Sequence, residues 1–133
     1  MTLYADSSAL LKRYVDEPDS DRADELLGSD PELVTGRHTL VEVRRNLARL
    51  LIGAALVDAR AAFVRDVGAF AIVELDAATC ELAATIGEQT GVRTMDALHL
   101  GAARRLGTSI TFVTFDIRQA HAARSLGFRV AGS

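Results

Sequence analysis

The sequence predicts an α/β fold in which a short parallel sheet is covered by helices on both faces. Three observations predict it. Five short runs of β-branched and aromatic residues alternate with segments of helical periodicity. Glycines stand just past several helical segments, where positive φ is often needed. Over 133 residues, 49% are hydrophobic and 25% charged, the balance of an ordinary globular domain able to bury a core without a disulfide or zinc staple.

The first strand is read at 2–5, followed by helices at 8–15 and 20–27. A second strand at 33–35 precedes helices at 39–52 and 58–67. A third strand at 71–75 leads to helices at 77–90 and 95–106. The fourth strand, 110–114, is followed by a short helix at 117–125 and a last strand at 128–130. Asp76 and Thr94 are expected to cap the helices that follow them, and Gly53, Gly91, Gly107 and Gly127 to mark helix boundaries. No repeat, low-complexity tract or second domain is visible, so residues 1–133 read as one domain.

Eighteen acidic against 15 basic side chains leave a net charge of -3, which excludes a protein that holds nucleic acid by overall charge alone. Cys80 is the sole cysteine, so no internal disulfide forms, and a reducing, cytoplasmic setting is expected. The stretch from Met1 to Asp6 lacks a signal-peptide pattern, and no apolar window approaches a membrane span.

In open α/β sheets, ligands bind beyond the carboxyl ends of the strands, which puts weight on Asp6 and Asp116. Each also fits as a helix N-cap, and for a lone aspartate the cap is the commoner role. Glu42 lies on helix 39–52, where Leu40, Val43, Leu47, Leu50 and Leu51 form the expected core stripe and His38, Glu42, Arg45 and Arg49 a separate polar face. Alone, Glu42 reads as a surface partner of Arg45. Asp96 falls in the first turn of its helix, above an expected buried row of Met95, Leu98, Ala102 and Leu106, and helix-end electrostatics account for it equally. His99 reads as a hydrogen-bonded packing residue rather than a ligand, and His38 and His121 stand isolated along the chain.

Taken together, Asp6, Glu42, Asp96 and Asp116 are each able to project into one cleft above the sheet. Clustered carboxylates repel, so a cation is expected among them. Hard oxygen donors select Mg²⁺ or Mn²⁺, and two such ions would neutralise four acids. Cys80 has no nearby histidine in sequence, and no Ser–His–Asp set is apparent.

Four segments carry a family resemblance: Tyr4-Ala5-Asp6-Ser7-Ser8-Ala9-Leu10-Leu11, Leu40-Val41-Glu42-Val43, Thr94-Met95-Asp96-Ala97-Leu98-His99-Leu100 and Thr114-Phe115-Asp116. In this order they resemble the PIN domain family, and within it the VapC-like toxins of toxin–antitoxin pairs. The resemblance implies a three-layer α/β/α sandwich, a metal-dependent ribonuclease, and catalytic roles for Asp6, Glu42, Asp96 and Asp116. Asp6, Asp96 and Asp116 are then the expected metal ligands, Asp116 either directly or through a metal-bound water, with Glu42 orienting the attacking water and Ser7 and Thr114 supporting the site. Some members carry a further acid after the third motif, where this chain has His99 and Leu100.

The resemblance also implies a VapB-like antitoxin whose C-terminal segment covers the groove, and a homodimer or a toxin–antitoxin hetero-oligomer. RNA approaching an acidic cleft needs cations at its rim, for which Lys12, Arg13, Arg44, Arg45 and Arg49 are candidates. Leu10, Leu11, Tyr14, Leu51, Leu56 and Phe63 are read mainly as core, with a partner groove as the alternative. A receiver domain or haloacid-dehalogenase-like phosphatase fits less well, since Ser7 and Ser8 follow Asp6 and the only lysine is Lys12. A non-catalytic PIN-like module that binds RNA or protein is the other reading.

Overall fold

A computed structural model describes residues 2–29 and 32–133; Met1, the start of the N-terminal reading, lies outside them. Five strands, β1 (Leu3–Ala5), β2 (Leu33–Gly36), β3 (Ala71–Val73), β4 (Thr111–Thr114) and β5 (Arg129–Gly132), form one parallel sheet in the order β3-β2-β1-β4-β5. Between them run α1 (Ser7–Leu11), α2 (Ser20–Gly28), α3 (Thr39–Leu50), α4 (Gly53–Val67), α5 (Ala77–Thr90), α6 (Thr94–Arg104) and α7 (Ile117–Ser125). The fold is a three-layer α/β/α sandwich.

Strand periodicity builds the layers. Leu3, Ala5, Leu33 and Val113 face one side, against Leu10 of α1, Leu27 of α2, Val43 and Leu47 of α3 and Phe63 of α4. Tyr4, Val34 and Phe112 face the other, against Ile86 of α5, Leu100 of α6 and Ala122 of α7. Burying one such Leu or Phe side chain contributes roughly 1.5–3 kcal/mol, so these two clusters hold the sheet between its helical layers. Leu10 and Phe63 are core, and Leu11, Tyr14, Leu51 and Leu56 pack partly buried around the same cluster.

The chain moves from β1 through β2 to β3 in one direction, then returns to place β4 on the opposite side of β1. Beyond the carboxyl ends of β1 and β4 lies the crevice that this reversal opens. Asp6 follows β1 and Asp116 follows β4, so two chain-distant acids flank it.

Helix boundaries differ from the sequence expectation in ways that have local causes. Helix α3 ends at Leu50, and after the extended residues Leu51 and Ile52 the left-handed Gly53 (φ 61°) opens α4 five residues earlier than its polar punctuation suggests. Leu50 is therefore exposed rather than part of the core stripe. Helix α1 is a turn shorter in length than expected, and Ser20 ties the loop beyond it by accepting from the Glu17 N–H and donating to the Val15 carbonyl.

The buried side of α6 is carried by Ala97, Leu100, Gly101, Ala102 and Ala103, while Met95 is exposed and Leu98 only half-buried. Small residues decide this. A Cβ on Gly101 would come within 2.8 Å of the Ala83 backbone nitrogen, so only glycine lets α6 lie this close to α5. Asp76 caps α5 as expected, but Thr94 is the first helical residue of α6 and makes no side-chain cap.

Candidate active site

Asp6 does two things at once. Its Oδ1 caps α1 by accepting from the Ala9 N–H at 3.1 Å, and it also accepts from Ser8 Oγ at 2.6 Å. Its Oδ2 accepts from Thr114 Oγ1 at 2.6 Å, so the carboxylate is held by groups from both β1–α1 and β4. The residue is 3% exposed, and burial pushes its carboxyl up against the lowering pull of His99 and of these hydrogen bonds. Thr114 holds Asp6, and Ser8 joins it there; Ser7 helps to keep the Glu42 carboxyl low.

Glu42 points inward from α3, and no ion pair joins it to Arg45 among the described residues. His99 Nε2 donates to Glu42 Oε1 at 2.6 Å. On the far side of the same ring, Nδ1 lies 2.8 Å from the Tyr4 hydroxyl, so β1, α6 and α3 are joined through one imidazole. Burial raises the Glu42 carboxyl, yet the bond and charge of His99, with help from His38 and Ser7, bring it below its ordinary value. Glu42 is held ionised.

His38 is not isolated in space. Its ring lies 4.0 Å, centroid to centroid, from that of His99, and burial followed by His99 drives its pKa down to about 3 despite the pull of Glu42. Sequence reasoning put His38 on the Glu42 face of α3 but missed its packing on His99, and missed Tyr4, because those partners are far away along the chain. Gly36, the last residue of β2, is the one local signal: a Cβ there would meet His38 Cε1 at 2.5 Å and the Tyr4 hydroxyl at 2.9 Å.

Asp96 is half-buried at the start of α6. Burial and then Asp116 push its carboxyl up, Asp6 and Glu42 add to the rise, and His99 opposes it. Asp96 therefore feels the other three predicted acids. Asp116, exposed at the start of α7, accepts the Gln119 N–H at 3.1 Å as its helix cap. Gln119 is fully buried and also donates Nε2 to the Asp96 carbonyl at 3.0 Å, which couples α7 to α6. This glutamine, like Ser8, carried no sequence signal.

The donor set fits a hard divalent cation. Among the described residues no lysine or arginine pairs with any of the four acids, and their mutual repulsion on Asp96 is the charge that such an ion would offset. The aspartates stand more widely spaced than the one compact group of ligand-type side chains found among the described residues, His38, Glu42 and His99.

Beside Asp96 and Asp116 opens a groove of about 1130 Å³, whose lining includes Arg93, Arg118, His121 and Phe115. Of the basic side chains expected at the rim, Lys12 is occupied: it pairs with Glu17 at 3.2 Å and Asp19 at 3.8 Å and lies over the Phe115 ring. Arg44, Arg45 and Arg49 remain exposed along α3, Arg49 donating to Asn46. No helix among the described residues is long and apolar enough to cross a membrane.

The chain is similar to known proteins in sequence and in fold. Ribonuclease VapC46 of Mycobacterium tuberculosis (strain ATCC 25618 / H37Rv) is 35% identical over 133 residues, which cover 96% of this chain and 95% of that protein. In fold, the chain is similar to Mycobacterium tuberculosis VapC20, described as a Sarcin-Ricin loop cleaving toxin, with a TM-score of 0.71 and 21% identity over 95% of each chain. It is also similar to VapBC-5 of the same organism, a member of the VapBC family of toxin-antitoxin systems, with a TM-score of 0.67 and 17% identity over 97% of this chain and 96% of that one. The family model described as PIN domain matches residues 3–125. With that model covering nearly the whole chain and a relative 35% identical over 96% of it, the chain belongs to the PIN domain family.

Proposed function

We propose that this chain, as one PIN-like domain, is a metal-dependent endoribonuclease and the toxin of a VapBC-type toxin–antitoxin pair, working in the cytoplasm. The observation that carries the reading is the set Asp6, Glu42, Asp96 and Asp116, four acids on four separate elements whose charges bear on Asp96, with no lysine or arginine paired to them among the described residues. Kinship with a protein named as a ribonuclease supports it.

In this reading Asp6, Asp96 and Asp116 would hold Mg²⁺ or Mn²⁺, which when bound would supply charge neutralisation at the phosphoryl oxygens and activation of water. Asp6 is held for that task by Ser8, Thr114 and the Ala9 N–H, so little reorganisation is needed when the cation arrives. Glu42, ionised and aligned by His99, accepts a hydrogen bond from the attacking water and directs its lone pair toward phosphorus. Arg93 and Arg118 lie along the adjacent groove and grip the flanking phosphates. An antitoxin segment with a basic side chain would inhibit by occupying the same acidic mouth, and the toxin assembles with it as a hetero-oligomer or pairs as a homodimer.

The test compares purified chain, freed of antitoxin, with Asp6→Asn and Asp96→Asn on a pool of cellular RNAs in Mg²⁺ or Mn²⁺. Cleavage by the wild type alone is expected. Equal cleavage by all three assigns the activity to a contaminant, and binding without cleavage by the wild type turns the reading to a non-catalytic RNA-binding module.

A further inference from the structure

We propose that His38, Glu42 and His99 form a binding site for a borderline divalent cation such as Zn²⁺ or Co²⁺, separate in donor chemistry from the aspartates at the mouth. The site goes beyond the ribonuclease reading and does not depend on it, although Glu42 is common to both.

Two independent observations carry the site. The first is compactness: one ligand-type atom from each of the three residues lies within 4.8 Å of the others. Bonds of about 2.0–2.1 Å to a four-coordinate ion put ligand atoms roughly 3.3 Å apart, so small side-chain adjustments close the set around an ion. Two imidazoles and one carboxylate are also the donors that Zn²⁺ takes in open, three-ligand sites, whereas Mg²⁺ prefers oxygen alone.

The second observation is an orphan. The His38 side chain is only 4% exposed, yet neither Nδ1 nor Nε2 has a hydrogen-bond partner among the described residues. Buried polar atoms without partners are costly and rare, and this one sits 3.9 Å from Glu42 Oε1 and beside the His99 ring. The fold makes room for it: Gly36 lacks the Cβ that would strike the His38 ring. A cation gives His38 the partner that the protein does not.

His99 is prepared for the same role from behind. When Nε2 turns from its hydrogen bond with Glu42 to an ion, the ring proton sits on Nδ1 and is donated to the Tyr4 oxygen 2.8 Å away. A second hydrogen bond of this kind fixes the tautomer and orientation of metal-bound imidazoles. The Glu42 side chain, 20% exposed, is the route by which an ion enters.

The experiment titrates untagged protein with Co²⁺ in the absence of Mg²⁺, in a Cys80→Ser background that removes the exposed thiol. Visible ligand-field absorption reports binding, Zn²⁺ back-titration reports displacement, and thermal unfolding checks that each variant folds. One equivalent with the intense absorption of a four-coordinate, nitrogen-ligated ion is expected both in the parent and in an Asp6→Asn/Asp96→Asn double variant, an oxygen-ligated ion at the mouth of the parent absorbing only weakly. His38→Gln and Glu42→Gln are each expected to weaken binding at least tenfold. Three results overturn the proposal: no Co²⁺ bound by the parent, unchanged affinity in both His38→Gln and Glu42→Gln, or loss of binding in the double aspartate variant, which would place the ion at the mouth. Because the readout is binding without RNA, failure here and failure of the ribonuclease reading are separate outcomes.

Discussion

His99 Nε2 donates to Glu42 Oε1 across 2.6 Å, although 57 positions separate the two residues and they lie on different helices. The bond holds an otherwise mobile carboxylate in one direction while the Tyr4 hydroxyl braces the ring from the other side. His99→Leu is expected to lower the turnover of RNA cleavage at least tenfold with KM changed less than twofold, and His99→Gln, which keeps a donor, to recover part of it. Single-turnover cleavage at saturating and limiting RNA separates the two parameters. Equal loss in both variants would remove the aligning role.

Asp6 combines capping with a place at the site, and the two are separable. Asparagine caps as well as aspartate, so Asp6→Asn is expected to abolish cleavage while changing unfolding free energy by no more than about 1 kcal/mol. Thr114→Val removes the donor to Asp6 Oδ2 and is expected to destabilise by about 1–3 kcal/mol, since it strands a buried acceptor. Urea unfolding and RNA cleavage on the same preparations check both.

The depressed pKa of His38 predicts a pH effect with a definite sign. Its value falls from 6.5 to about 3, first through burial and then through His99, so below 6.5 the unfolded chain takes up a proton that the folded chain refuses. The unfolded state then binds more protons, and stability drops as pH falls from 6.5 toward 3, by up to about 1.4 kcal/mol per unit from this group. The stability difference between wild type and His38→Gln is expected to shift in favour of the variant over that window. Parallel curves would contradict it.

Gly36 is a steric requirement of the same cluster. Gly36→Ala sets a methyl group 2.5 Å from His38 Cε1 and 2.7 Å from Nδ1, in a place where the ring has no solvent to move into. A destabilisation of about 1–3 kcal/mol is expected, measured by chemical unfolding. His38→Ala in the same chain should recover part of it.

Arg93 and Arg118 border the groove beside Asp96 and Asp116. Replacing either by alanine is expected to raise KM for RNA severalfold with turnover little changed, and to reduce the salt slope of binding by about one. An unaltered salt dependence in the double variant would place the RNA elsewhere.

Much of the fold is legible in the chain because strands and helices write their periods locally. The apolar runs ending at Ala5 and Thr114 mark β1 and β4, and the acids immediately after them mark the mouth of the sheet. Asp96 and Glu42 are legible as acids on helices able to share a cleft with Asp6 and Asp116, and the family resemblance gives the four their roles. Helix faces built from alanine and glycine were read poorly: on α6 the larger Met95 and Leu98 suggested a buried row, whereas Gly101 and its close approach to Ala83 rotate the helix otherwise.

The order of elements, the acids at strand ends and the absence of an internal disulfide follow from the sequence by itself, since each depends on neighbours or on counting. Which serine holds Asp6, where His38 finds no partner, and how Gln119 ties α7 to Asp96 were decided only by the tertiary structure. Those relations are set by the strand order that puts β4 beside β1 and by the packing of α3 and α6 against the sheet, and no short-range pattern encodes contacts between residues so far apart along the chain.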